Sequence, residues 1–233
     1  MKRFIALFFV FALLVTAFIF SSPRSQAQAG LVSAVLQRME GNYNSLKTLK
    51  SNVTVVKYTG QTREQEQTDG YLYLVPQKGR KANFRFDIQS PAQEYIVVKD
   101  ANYTYYKPKI NTAYVGKTAS QQGGSKGTLF SFLSMSGAQL QASYGVQVAG
   151  NENVWSPKGD VPTTKLFLTP KTRNSYKFAE VWVDGNGMPL QIKITEQNND
   201  WTAIRVFNVD RNSNFDSNSL VLQLPKTVKT IKG

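Results

Sequence analysis

Lys78–Val98, KGRKANFRFDIQSPAQEYIVV, reads as a basic turn, a strand, a Ser-Pro break and a second strand. Strand side chains alternate between faces, so Phe84, Phe86 and Ile88 point one way and Arg85 and Asp87 the other. Arg80 stands at the mouth of that apolar row. Outward from here the same period of two recurs. Strands are predicted at Val53–Thr59, Gly70–Val75, Ala82–Gln89, Glu94–Asp100, Tyr103–Lys107 and Asn111–Gly116, and links this short join antiparallel neighbours.

Several of these strands are apolar or aromatic on both faces. Tyr71 and Tyr73 oppose Leu72 and Leu74, and Tyr95 and Val97 oppose Ile96 and Val98. A sheet with one solvated face would alternate cleanly, so something must cover the second face. The stretch Thr128–Met135 puts Leu129, Phe130, Phe132, Leu133 and Met135 into two turns behind a Gly/Ser/Gln loop. So much apolar surface on so short an element predicts a buried lid helix. Before the strands, Val35, Met39, Tyr43, Leu46 and Leu49 form one stripe of a helix over residues 31–49.

The second half continues in strands. Residues 151–163 read as a loop, Asp184-Gly-Asn-Gly187 as a hairpin turn, and Pro189–Glu196 as a strand buried on one face through Leu190, Ile192 and Ile194. Leu220–Leu224 reads as the last strand, and the polar run around Glu64 and Glu66 as a solvated loop.

Residues 1–29 are set apart. Lys2 and Arg3 precede an uninterrupted apolar run, Phe4–Phe20, and Ala27-Gln28-Ala29 offers a small-residue cleavage site. This is the pattern of a signal peptide, with residues 30–233 as one domain exported across the cytoplasmic membrane, although the run is also near the length of a membrane anchor.

The 233 residues contain neither cysteine nor histidine. Disulfides, thiolate metal sites and Ser-His-Asp or Cys-His nucleophilic centres are therefore excluded. No phosphate-cradling glycine loop lies between a strand and a helix. An enzyme is not expected, nor any cofactor or metal. The net charge is +13, or +10 without Lys2, Arg3 and Arg24 of the leader, and it draws such a surface to anionic headgroups or acidic partners outside the cytoplasm, where nucleic acid is not expected.

The hairpin resembles that of the bacterial lipoprotein carrier proteins, the LolA family. Phe84-Arg85-Phe86 falls on that family's aromatic-x-aromatic segment, Arg80 on its Arg and Pro91 on its second Pro, while Lys81 replaces its first Pro and Phe86 its Trp. LFLTPK at Leu166–Lys171, the DGNGMP turn and the closing Pro-x-x-Val at Pro225–Val228 follow in that family's order. Its Asp-Gly turn appears here as Asp100-Ala101.

The resemblance implies a mainly β (α+β) domain. Its single antiparallel sheet, a strongly curved incomplete barrel of about ten to eleven strands, holds an apolar cavity under an N-terminal helix and short lid helices. Assigning strand faces lines that cavity with Phe84, Phe86, Tyr95, Val97, Tyr103, Tyr105, Leu129, Phe132 and Leu133. By resemblance Arg80 is the latch that holds the lid closed. It further implies a monomeric periplasmic chaperone for acylated lipoproteins, loaded by an inner-membrane lipoprotein-releasing ABC transporter and unloaded by an outer-membrane lipoprotein receptor. A carrier of another amphiphile such as a glycolipid, and a basic envelope-binding β module, remain as alternatives.

Overall fold

The computed structural model describes residues 23–77, 81–118, 137–172, 176–215 and 217–233. Helix α1 (Pro23–Ser45) leads into six strands: β1 (Leu49–Thr59), β2 (Glu64–Gln77), β3 (Lys81–Ser90), β4 (Glu94–Lys99), β5 (Asn102–Lys107) and β6 (Thr112–Lys117). After α2 (Gly137–Ser143) come β7 (Tyr144–Val154), β8 (Val161–Pro170), β9 (Tyr176–Asp184), β10 (Pro189–Glu196), β11 (Trp201–Arg211) and β12 (Lys229–Lys232).

These strands form one sheet in the order β12-β6-β5-β4-β3-β2-β1-β11-β10-β9-β8-β7. The two ends, β12 and β7, do not pair, so the sheet is not closed. All neighbours are antiparallel except β12, which runs parallel to β6. The structure thus corrects the expected strand count and the all-antiparallel pattern. It also corrects the C-terminal strand: Ser217–Leu220 is a 3₁₀ turn, and the strand forms further on, at Lys229–Lys232. Leu220 is buried from that turn. An apolar residue that a periodic reading assigns to a strand thus serves as an anchor for an irregular segment.

Two other expectations shift. The helical stripe ends at Ser45, and Leu46 and Leu49 are buried from the connection and from β1 instead. Residues 151–163 are mostly hairpin, with β7 and β8 pairing as far as Val154 and Val161. Glu64 and Glu66 are exposed as expected, yet they lie on β2 opposite Thr59 and Lys57, because polar side chains suit a solvated strand end as well as a loop.

One face of the sheet carries the core. Leu49, Val53 and Val55 of β1, Leu72 and Leu74 of β2, Phe86 and Ile88 of β3, Leu166 and Leu168 of β8, Val181 of β9, Ile192 and Ile194 of β10, and Ile204 and Val206 of β11 form one cluster with Val32, Val35, Leu36 and Met39 of α1. Each pairs across the register with another of the set or points beside it, so a single alternation buries all of them. Residues 28–31 of α1 are exposed and burial begins at Val32. A cut after Ala29 would therefore remove none of the described core.

The other face is covered at one end by the C-terminal segment. Arg85 Nη1 donates to the Ser219 carbonyl (3.1 Å), and Phe215 meets Tyr73 edge-on at 5.8 Å between ring centres. Val97, Tyr106 and Ala113 on that face are buried. The second apolar face foreseen in the sequence thus has part of its cover in this strap.

The β4–β5 turn holds Asp100 and Ala101 at φ +50° and +62°. Asn83 braces it, accepting from the Asp100 N–H at 3.0 Å. The left-handed region costs an alanine about 1 kcal/mol or more, a cost glycine does not incur. Ala101→Gly is expected to raise stability by about 1 kcal/mol, seen as a higher urea midpoint at unchanged slope. A lower midpoint would contradict this turn geometry.

Candidate functional site

Successive register pairs carry the core face outward to the open β12 edge. Ser51 faces Leu72, Leu72 faces Phe86, Phe86 faces Ile96, Ile96 faces Tyr105, Tyr105 faces Tyr114 and Tyr114 faces Ile231. Beside that row runs a second: Leu49, Leu74, Phe84, Val98, Tyr103 and Gly116. Exposure rises along the first row, from 0% at Leu72 and 3% at Phe86, through half-buried Ile96, Tyr105 and Tyr114, to 37% at Ile231. The result is a two-row apolar track from a sealed core to a sheet edge.

Gly116 shapes its outer end. A Cβ there would stand 2.7 Å from Tyr103 Cε1, so the Tyr103 ring occupies the space that any side chain at 116 would take. The ring reaches toward β12, where a Cβ on Gly233 would lie 2.6 Å from its hydroxyl.

A polar group borders the track. Tyr105 donates its hydroxyl hydrogen to Glu94 Oε2, and Lys107 Nζ lies 3.5 Å from Glu94 Oε1 and 4.9 Å from the Tyr105 ring centre. Burial, then the bond to Glu94, push the Tyr105 hydroxyl above the ordinary tyrosine range. The bond to Tyr105 is the chief cause raising Lys107. At neutral pH Tyr105 therefore keeps its proton and Lys107 its charge. Charges satisfied in this way bound an apolar surface without offering a reactive group, and among the described residues no cluster of His, Cys, Asp or Glu suits a metal ion.

Of the nine cavity residues read from the sequence, four share the track: Phe84, Phe86, Tyr103 and Tyr105. Tyr95 and Val97 do not. They face Asp87 and Arg85 on the opposite side of the sheet, where Tyr95 stacks on Tyr106 (6.2 Å) with the Arg85 guanidinium 5.5 Å from its ring centre. In their place Ile96 and Val98 join the track, with Tyr114 and Ile231. The signal was present in the turn. Lys99 pairs with Asn102 across a two-residue connection, so on β4 and β5 every odd residue faces an even one, and Tyr103 and Tyr105 must share a face with Val98 and Ile96. Arg80, Leu129, Phe132 and Leu133 lie outside the described residues.

Residues 44–220 match the family model described as outer membrane lipoprotein carrier protein LolA. The chain belongs to the LolA family. Members of that family are carriers, and its name fits a sheet whose apolar face runs out to an edge. No curated protein is similar to this chain in sequence.

Among solved structures, an uncharacterised conserved protein from Thermus thermophilus superposes with TM-score 0.55 at 15% identity, over 86% of this chain and 98% of that one. The MucA/MucB complex of Pseudomonas aeruginosa contains a similar chain, with TM-score 0.51 at 14% identity over 86% of this chain and 64% of that one. MucB alone gives TM-score 0.54 at 14% identity, over 86% and 66%. Identities this low establish the LolA-type fold that these proteins share with this chain, and the LolA-family chain spans about two thirds of MucB. Among its described residues no helix is long and apolar enough to cross a membrane.

Proposed function

We propose that this LolA-family chain is a periplasmic chaperone that shields the acyl chains of lipoproteins in an incomplete barrel and carries them from the inner to the outer membrane. The observation that carries this reading is the graded track from Leu72 and Phe86 to Ile231. From β3 to β12 it crosses four inter-strand spacings, about 19 Å, comparable with an extended long acyl chain. Ten methylenes half covered along it would gain on the order of 4 kcal/mol, from about 0.8 kcal/mol per fully buried methylene. That suffices to hold a chain out of water, and an incompletely covered chain can still leave.

In this reading residues 1–29 are removed as a signal peptide, and an inner-membrane ABC transporter and an outer-membrane receptor load and unload the carrier. The lid with Leu129, Phe132 and Leu133 closes over the track. Arg80, in the connection between β2 and β3, latches that lid by donating to loop carbonyls in the empty state.

Native mass spectrometry of residues 30–233 purified from the host periplasm, followed by lipid extraction, tests the cargo. Acylated peptide near one per protein is the expected result, and glycolipid in its place would change the cargo class. Arg80→Leu is expected to slow transfer of bound lipoprotein to acceptor vesicles at least about tenfold, as a change of a little over 1 kcal/mol in the lid equilibrium requires. Transfer at the parent rate would dispose of the latch.

A further inference from the structure

The open end of the sheet has a chemistry of its own. Lys229 pairs with Thr112, Thr230 with Ala113, Ile231 with Tyr114 and Lys232 with Val115, and all four β12 residues are exposed. Lys226 is exposed just before the strand, and Lys109 and Ile110 are exposed in the 3₁₀ turn between β5 and β6. The two parts are tied together: the Asn111 carbonyl accepts from the Lys229 N–H at 3.0 Å, and Asn111 Nδ2 donates to the Thr227 carbonyl at 2.9 Å. The edge therefore carries Lys109, Lys226, Lys229 and Lys232 around two aliphatic tips, Ile110 at 57% exposure and Ile231 at 37%. None of the ion pairs among the described residues involves these four lysines. The tail that builds the edge, from 221 onward, lies beyond the residues matching the family model.

We infer that this edge docks on an anionic phospholipid bilayer. Lysines on short exposed segments reach phosphate headgroups, and each basic residue near such a surface adds attraction that salt weakens. Ile110 and Ile231 are placed to enter the headgroup layer between them, as apolar side chains do in interfacial anchors. The alignment with the track gives docking a purpose. Ile231 is the last member of the row that begins at Leu72, so an acyl chain leaving a docked bilayer meets apolar side chains continuously and crosses no bulk water. That purpose rests on the carrier reading, while docking itself rests only on the edge.

The test is sedimentation of residues 30–233 with vesicles of phosphatidylglycerol and phosphatidylethanolamine, and with phosphatidylcholine vesicles. Binding to the anionic vesicles is expected to be at least tenfold tighter and to weaken from 50 to 300 mM salt. The variant K226Q/K229Q/K232Q should lose about a hundredfold in vesicle affinity. K57Q/K158Q/K177Q removes the same charge from exposed lysines elsewhere and should bind like the parent. Equal loss in both triple variants, binding to phosphatidylcholine as tight as to anionic vesicles, or no vesicle binding at all would overturn the edge as a membrane dock; the last outcome would leave acidic protein as its partner class. Uptake of a fluorescent fatty acid from solution, measured in parallel, separates the two readings. Docking without uptake would defeat the carrier proposal alone, and uptake without docking would defeat this one alone.

Discussion

Ile96→Asp is expected to weaken acyl-chain binding at least about tenfold, whereas Tyr95→Ala leaves it at the parent level. The two positions are adjacent in sequence and on opposite sides of the sheet. Ile96 lies between Phe86 and Tyr105 in the middle of the graded row, half-buried, where a bound chain would pass over it. A carboxylate there keeps its water and denies contact to roughly four half-covered methylenes, about 1.6 kcal/mol at half of 0.8 kcal/mol each, which is a little over one power of ten in affinity. Tyr95 faces Asp87 and Tyr106 beneath Arg85. Losing its ring removes a stacked pair and a cation-π contact, about 1–2 kcal/mol of stability, and touches nothing on the track. Displacement of a fluorescent fatty acid, with urea unfolding of both variants alongside, checks the contrast. Loss of binding in Tyr95→Ala with retention in Ile96→Asp would mean that the ligand lies on the other face.

That contrast also measures what the sequence could say. The alternation Phe84, Phe86, Ile88 is a local property of one strand, and it identified its own face correctly. Which residues of the next strand join that face depends on how the turn counts residues, and only the two-residue Asp100-Ala101 connection decides it between β4 and β5. Odd positions taken on both β4 and β5 group Tyr103 and Tyr105 with Phe84 and Phe86 but also Tyr95 and Val97, which the register puts on the opposite face, because aromatic and β-branched residues occupy both faces of β4. Those two are apolar for a different reason: they line the sheet face that the strap through Phe215 and Leu220 serves. Nothing local distinguishes a face covered by a distant tail from a face that binds a ligand. Strand β12 escaped notice for a similar cause. Lys229-Thr-Ile-Lys232 has little apolar content to announce a strand, and its pairing with β6 spans more than a hundred residues of chain.

Gly187→Ala is expected to destabilise the protein by roughly 2–4 kcal/mol, while Gly185→Ala in the same turn is nearly neutral. Asp-Gly-Asn-Gly reads as a hairpin turn, and both glycines look interchangeable in it. The turn itself is held by Asp184, whose Oδ1 accepts from the N–H groups of Asn186 (2.9 Å) and Met188 (2.8 Å). Gly187 sits at φ +84°, and a Cβ there would stand 2.2 Å from the Arg38 carbonyl oxygen and 2.7 Å from the Met39 nitrogen. Those are backbone atoms of α1 and cannot swing aside as a side chain would, so either the turn opens or the helix moves by about an ångström. The left-handed backbone costs about 1 kcal/mol or more and the forced separation another 1–3 kcal/mol. At Gly185 a Cβ meets nothing within 4 Å. The difference has a structural meaning, because α1 seats on this turn through Met39, which is buried, and through Asn42, whose Nδ2 lies 3.6 Å from Met188 Sδ. Met39 belongs to the same core as Leu72 and Phe86, the sealed end of the track. A helix lifted at the turn loosens that end, so Gly187→Ala should lose chain affinity along with stability. Urea midpoints of the two variants decide it: equal midpoints would show that α1 does not rest on the β9–β10 turn.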